Sequence, residues 1–293
     1  MFMKADTKHL IDQFKALADP VRLRLVALCS QGECSVTDLT EVLGQSQPRI
    51  SQHVKLLCDA GLLERFRDGH FVFYRLPEHT DDAAQLRKLF ALLPDDEPEF
   101  ERDIEALRES RGAAPVEQTE EDRPLHHALV ELTVSTHLGD LLDIGSGQGR
   151  ILKLFASRAQ RAVGVDIDAD ARRFARAEVL LAGLPNCTLR QGDMYSLPFA
   201  DGEFDTVIVD DVLVEAERPV EVLAEALRMI QAGGRLLLLT TCHEADPKSL
   251  GRQLASWCRE AGLRLSPPRS IPANDPRWLL AVATRTKPST AAA

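Results

Sequence analysis

The sequence predicts an α/β protein in two domains, an N-terminal winged helix-turn-helix and a C-terminal Rossmann-like domain. Three observations predict it. Two short helical stretches flank Gly44 and are followed by a hairpin signal, all within the first 93 residues. Residues 94–124 form a proline-containing acidic run. From about residue 125, apolar runs alternate with helical stretches, the pattern of a mostly parallel sheet covered on both faces. At 293 residues the chain is long enough for two cores of ordinary size.

Composition narrows the function classes. Hydrophobic content of 44% and charged content of 27% are those of a globular protein, and no window approaches the roughly 18 consecutive apolar residues of a membrane span. The N-terminal "MFMKADTKHLIDQFKAL" lacks the apolar region of a secretory signal, so the expected location is the cytoplasm. The six cysteines, Cys29, Cys34, Cys58, Cys187, Cys242 and Cys258, contain no CxxC pair and read as free, packed thiols. The net charge of −10 is unevenly spread: residues 1–90 hold 12 basic and 12 acidic side chains, residues 91–124 hold 4 and 12, and the remainder 19 and 21. A neutral N-terminal domain can therefore still present a basic face.

Each element of that domain has a local cause. Leu10, Ile11, Phe14 and Leu17 recur at helical spacing, and Asp19-Pro20 marks the start of a second helix, with Asp as cap and Pro where its missing N–H costs nothing. Val36 to Leu43 and about Pro48 to Ala60 form a helix-turn-helix pair. "LLERFRDGHFVFYRL" alternates around Asp68-Gly69, a two-residue hairpin turn. A last helix is expected from Asp81 to Leu93, giving a winged-helix domain over residues 1–93. In the second helix of the pair, Ile50, Val54 and Leu57 face inward, while Ser46, Gln47, Arg49, Ser51 and Gln52 crowd the N-terminal turns that in such motifs read base edges in the major groove. His53, Lys55, Arg65, Arg67 and His70 are placed for phosphate contacts.

This segment resembles the ArsR/SmtB family of bacterial regulators in "FKALADPVRLRLVALC", in "SVTDLTEVLGQSQPRISQHVKLLCDAGLL" and in the hairpin "RDGHFVFYRL". The resemblance implies a homodimer built through the first and last helices and bound to an inverted-repeat operator in double-stranded DNA. Family members that sense soft metals carry a cysteine pair in "ELCVCDL". Here "ECSVTDL" places Ser35 and Thr37 at those positions, with Cys34 one residue out of register, so no metal ligand set is assigned. An unorthodox thiol site of Cys34 with Cys29 or Cys58 remains the alternative.

The segment 94–124 reads as an acidic linker with a short helix over Glu99 to Ser110, and it raises the hypothesis that the acidic run competes with DNA for the basic face. The second domain, expected over 125–286 with a frayed tail at 287–293, shows the runs "DLLDI", "RAVGVDI", "TLRQGD", "FDTVIVDD", "GGRLLLLTT" and "RWLLAVATR". In "LLDIGSGQGR" the glycine turn follows a strand, but the position where a dinucleotide fingerprint needs its third glycine is Arg150, and Asp143 would repel a pyrophosphate. A carboxylate there suits a cationic amino-acid moiety instead. Asp166 ends the next strand, where it can accept from both hydroxyls of a ribose. Asp193 is placed to accept from an adenine amino group beside the flexible Met194.

These segments, in this order, resemble the class I S-adenosylmethionine-dependent methyltransferases. The resemblance implies that Asp143, Gly145, Ser146, Gly147 and Gly149 form the loop facing the cofactor, Asp166 and Ile167 the ribose contact, Asp193 and Met194 the adenine contact, and Asp210 the end of the fourth strand, with "RWLLAVATR" as the reversed edge strand. The stretch from Cys242 to Leu250 is short for a substrate lid.

Two functions are compatible with this reading. In one, the protein is a transcriptional regulator, a repressor, whose Rossmann-like domain binds S-adenosylmethionine or S-adenosylhomocysteine as effector, with methionine-cycle genes as the implied targets. In the other, it is an active methyltransferase on a small-molecule acceptor with a regulatory DNA-binding domain. Candidate bases for the second are Asp210, Asp211, Glu215 and His243. A third arrangement joins two independent modules through the linker.

Overall fold

The computed structural model describes residues 7–69, 71–77, 97–111, 123–134, 137–242 and 246–286. The helix expected over 81–93, His70 and His243 lie outside the described residues. The chain divides into two compact units, residues 1–115 with 176–185, and residues 116–175 with 186–293.

In the first unit, α1 (Thr7–Leu17) is followed by α2 (Pro20–Ser30), whose cap is as the sequence predicts: the Arg22 N–H donates to Asp19 Oδ1 at 3.0 Å. Helix α3 (Val36–Leu43) opens on a reciprocal capping box. The Asp38 N–H donates to Ser35 Oγ at 3.1 Å, and the Ser35 N–H to Asp38 Oδ2 at 2.8 Å. The helix closes on Gly44 at φ 60°, a left-handed position that only glycine takes without strain. Helix α4 (Gln47–Asp59) buries Ile50, Val54 and Leu57. Strands β1 (Cys34–Ser35), β2 (Glu64–Asp68) and β3 (Phe71–Arg75) form an antiparallel sheet in the order β1-β3-β2. All six cysteines are free thiols, and all but Cys58 are buried.

The acidic segment departs from the linker expectation. Residues 98–110 form α5 (Pro98–Ser110), whose Leu107 is fully buried in the same core as Leu25, Leu39 and Leu57. Arg24 of α2 grips Asp103 with two hydrogen bonds of 2.6 and 2.7 Å and lies 3.0 Å from Glu99. Arg111 donates to Asp38 at 2.7 Å and to the Glu33 carbonyl at 2.6 Å. Such forked guanidinium–carboxylate pairs fix orientation as well as adding attraction.

The second unit begins with α6 (Arg123–Val134) and continues through β4 (Asp140–Ile144), α7 (Arg150–Ala156), β5 (Arg161–Asp166), the start of α8 (Ala169–Leu181, whose residues from Arg176 on count with the first unit), β6 (Cys187–Gln191), β7 (Phe204–Asp210), α9 (Pro219–Met229) and β8 (Ile230–Thr241). Helix α10 (Pro247–Glu260), β9 (Leu263–Leu265), β10 (Arg269–Ile271) and β11 (Trp278–Arg285) complete it. The sheet order is β10-β11-β8-β7-β4-β5-β6, with β4 to β8 parallel and β11 antiparallel to β8. β11 is reversed as expected but is not an edge strand, because β9 and β10 both pair with it on its other side. Those strands are only three residues long, too short to show a period in sequence. The chain runs β4, β5, β6 in one direction and then returns to place β7 on the far side of β4. This reversal opens a crevice at the strands' carboxyl ends, where ligands of open α/β sheets bind. No described helix is long and apolar enough to cross a membrane.

Candidate functional site

In the first unit, the burial of Ile50, Val54 and Leu57 turns the opposite face of α4 outward. Ser46, Gln47, Arg49, Ser51, Gln52 and Lys55 are all exposed, and so are Arg65 and Arg67, which alternate outward along β2. His53 departs from the expectation of an outward phosphate contact. Its ring is largely covered and Nδ1 lies 3.9 Å from Asp19 Oδ1, so the helical turn that exposes Gln52 carries His53 toward the start of α2. Helix α1 leaves Leu10, Ile11 and Phe14 at 38%, 46% and 50% exposure, while Leu17 is buried.

In the second unit, the glycine loop joins β4 to α7. The Gly145 and Ser146 N–H groups donate to the Val165 carbonyl at 2.8 and 3.1 Å, the Gly147 N–H to Asp166 Oδ2 at 2.8 Å, and the Gly149 N–H to the Ser146 carbonyl at 2.7 Å. Gly145 sits at φ 81°, and a Cβ there would come within 2.3 Å of Val212 Cγ1 and 2.8 Å of the Asp210 carbonyl. Four of the loop's N–H donors, those of Gly145, Ser146, Gly147 and Gly149, are therefore spent inside the protein and are not offered to a phosphate.

The acceptors are not spent. Asp143 is 0% exposed, and neither carboxylate oxygen has a hydrogen-bond partner among the described residues; buried Ser146 Oγ is likewise unpartnered. A buried carboxylate without donors is costly, and burial, followed by the nearby Asp210 and Asp166 carboxylates, holds the Asp143 carboxyl well above the ordinary carboxylate range. Asp210, at the end of β7, is pushed up to about 7, chiefly by burial and further by Asp211 and Asp166, with Arg150 pulling the other way. Asp166 accepts from Gly147 and, through Oδ1, from the Asp168 N–H at 2.8 Å, so it is aimed by the loop while each oxygen keeps accepting capacity. Ile167 beside it is 72% exposed, an apolar surface on the lip of the crevice. Asp193 accepts from the Tyr195 N–H at 3.0 Å, and Met194 packs partly buried against the core.

Asp211 has a structural task that its sequence position does not reveal. At φ 55° it accepts from the Thr241 N–H at 2.7 Å and from the Thr241 hydroxyl, joining the ends of β7 and β8. Two further residues went unread in the sequence. Arg172, 1% exposed, donates to the Asp166 carbonyl at 2.9 Å, and Val212 closes against Gly145. An arginine on a helix looks solvated until the sheet beneath it is known. The polar and apolar groups present fit an adenosyl amino acid: acceptors for ribose hydroxyls and an ammonium group beside apolar side chains.

A winged helix followed by a glycine-loop α/β unit defines a regulator-type domain joined to a Rossmann-like domain. Residues 19–65 match the model of bacterial regulatory proteins of the arsR family, and residues 142–238 match that of the methyltransferase domain. The chain is 50% identical over 70 residues to the arsenical resistance operon repressor of Escherichia coli, covering 24% of this chain and 60% of that protein. It is 38% identical over 84 residues to the biofilm growth-associated repressor of Xylella fastidiosa, covering 29% of this chain and 72% of the repressor. On the other side it is 37% identical over 113 residues to a ubiquinone/menaquinone biosynthesis C-methyltransferase of Dinoroseobacter shibae, covering 36% of this chain and 44% of that enzyme. A methyltransferase structure from Aquifex aeolicus is similar at 17% identity and a TM-score of 0.49, covering 56% of this chain and 92% of that one. Against two arsenic-resistance regulators, the matched segment spans 60% and 50% of their length. The chain belongs to the arsR family of bacterial regulatory proteins, here fused to a class I methyltransferase domain.

Proposed function

We propose that the chain is a DNA-binding repressor whose methyltransferase domain binds S-adenosylmethionine or S-adenosylhomocysteine as effector. The observation that carries the ligand reading is the inversion of supply at the glycine loop: the N–H groups of Gly145, Ser146, Gly147 and Gly149 are satisfied internally, while the Asp143 carboxylate and the Ser146 hydroxyl are buried without hydrogen-bond partners among the described residues. Asp143 and Ser146 would face the amino-acid end of the ligand, Asp166 and Ile167 the ribose, and Asp193 and Met194 the adenine; Gly145, Gly147 and Gly149 shape the loop, and Asp210 closes its far side. When bound, S-adenosylmethionine supplies a transferable methyl group on a sulfonium.

The exposed face of α4, with Arg65 and Arg67, would meet double-stranded DNA. The uncovered apolar side of α1 supports a homodimer, whose symmetry would match an inverted-repeat operator. Genes of the methionine cycle are the proposed targets, since the ligand is their metabolite. An effector acts only through different affinities for the DNA-binding and non-binding states. Calorimetric titration with each ligand tests the site; absence of binding by both removes the reading. A second reading, methyl transfer to a small acceptor, is favoured by Asp210, whose carboxyl near neutrality could take a proton from an acceptor thiol or amine.

A further inference from the structure

Three carboxylates converge on neighbouring parallel strands at the carboxyl ends of the sheet. Asp143 lies on β4, with Asp166 closing β5 on one side and Asp210 closing β7 on the other. The charged groups around them are Asp211 after β7, Arg150 at the start of α7, and Arg172 of α8, whose buried guanidinium donates to the Asp166 carbonyl at 2.9 Å. Arg150 counters one carboxylate, and the Asp166 oxygens are met by two backbone N–H groups. Among the described residues the fully buried Asp143 has no hydrogen-bond donor at either oxygen, and the buried Ser146 hydroxyl three residues on has no hydrogen-bond partner either. With Asp211 the three carboxylates become four against the guanidinium groups of Arg150 and Arg172, and neither arginine hydrogen-bonds the fully buried Asp143, whose charge therefore needs a cation of its own.

We propose that the empty site holds a proton shared by Asp143 and Asp210 and gives it up to solvent when an ammonium-bearing ligand enters, so that effector binding is gated by pH. The proposal rests on the ligand reading above and adds the charge exchange to it. The entering ammonium replaces the proton as the cation of the site, and the charge of the filled site is conserved. Burial raises both carboxyls, with Asp210 and Asp166 adding to it at Asp143 and Asp211 and Asp166 at Asp210, which reaches about 7 and places the exchange near neutrality. The two groups titrate as a pair.

The test is calorimetric titration of the full chain with S-adenosylhomocysteine, whose uncharged sulfur leaves the ammonium as the ligand's cation. It is run at pH 6 in two buffers of different ionisation enthalpy and repeated at pH 7 and 8. The ligand's own ammonium is protonated at pH 6 and donates nothing in this direction. The expected result is a heat that differs between buffers by release of about one proton per site, with affinity rising about fivefold from pH 6 to 7 and about twofold more by pH 8. The double variant Asp143→Asn with Asp210→Asn should lose the buffer dependence. Binding with equal heats in both buffers and a flat affinity would overturn the proton exchange and leave the ligand reading standing. No binding at any pH would overturn both. The wild-type series decides by itself if the double variant does not fold.

Discussion

At the scale of single residues, Asp166 is the position on which the proposed ligand reading turns. It faces the crevice from the end of β5 and is aimed by the Gly147 and Asp168 N–H groups. Asp166→Ala should abolish binding of either adenosyl ligand, while the ligand-free protein still binds DNA; calorimetry beside a DNA titration checks both halves, and unchanged ligand affinity would count against the site. The loop glycines separate steric from backbone demands. Gly145→Ala drives a methyl into Val212 and the Asp210 carbonyl from a left-handed backbone, and should cost roughly 3 kcal/mol of domain stability. At Gly147, φ 50° with no other atom nearer than 3.9 Å, alanine should cost only about 1–2 kcal/mol. Chemical denaturation of the two variants reads the difference.

Asp210 carries a pH signature of its own. With a folded-state pKa raised to about 7, the native chain binds more protons than the unfolded chain between about pH 4 and 7. Stability without ligand should therefore fall as pH rises through that window and level off above it. Thermal unfolding of Asp210→Asn should show a shallower fall than the wild type.

At the scale of elements, α5 alters what the acidic segment means. Deleting residues 95–122 would be the direct test of competition between that segment and DNA, but it would also remove Leu107, Asp103 and Arg111 from the first unit. Leu107→Ala alone should destabilise that unit by about 2–5 kcal/mol in denaturant titration. Competition is better tested by changing the exposed Glu101, Glu105 and Glu109 to glutamine, which leaves the buried contacts intact. If the segment does compete, DNA affinity at low salt should rise.

Much of the architecture was legible because its causes are local. The Asp19-Pro20 cap, the inward spacing of Ile50, Val54 and Leu57, and the long apolar strands each carry their signal within a few residues, whereas the hairpin connection falls one residue later than Asp68-Gly69 suggests, because Asp68 of β2 still pairs with Phe71 of β3. The role of α5 was not legible, because its partners Arg24 and Asp38 are about seventy or more residues away and its prolines and acids have the composition of a linker. The same holds within the site. The glycine turn and its acidic residues form a recognisable string, whereas the use of Asp211 as a tie to Thr241 and of Arg172 as a support for Asp166 depends on strands that meet only in the fold.

At the scale of the whole molecule, the proposed account joins two chemistries in one chain: a face reading DNA and a site reading an adenosyl amino acid. Binding through Lys55, Arg65 and Arg67 should be strongly salt-dependent, and Arg67→Ala should reduce the salt slope by about one per half-site without relaxing base preference. The central claim is that the ligand changes the DNA affinity. The direct measurement is a titration of the purified full chain on the DNA upstream of its own gene, without ligand, with S-adenosylmethionine and with S-adenosylhomocysteine. The account predicts that one of the two shifts the apparent DNA affinity at concentrations near its own dissociation constant. Binding of both ligands with no shift in DNA affinity would contradict it and leave the enzymatic reading in its place.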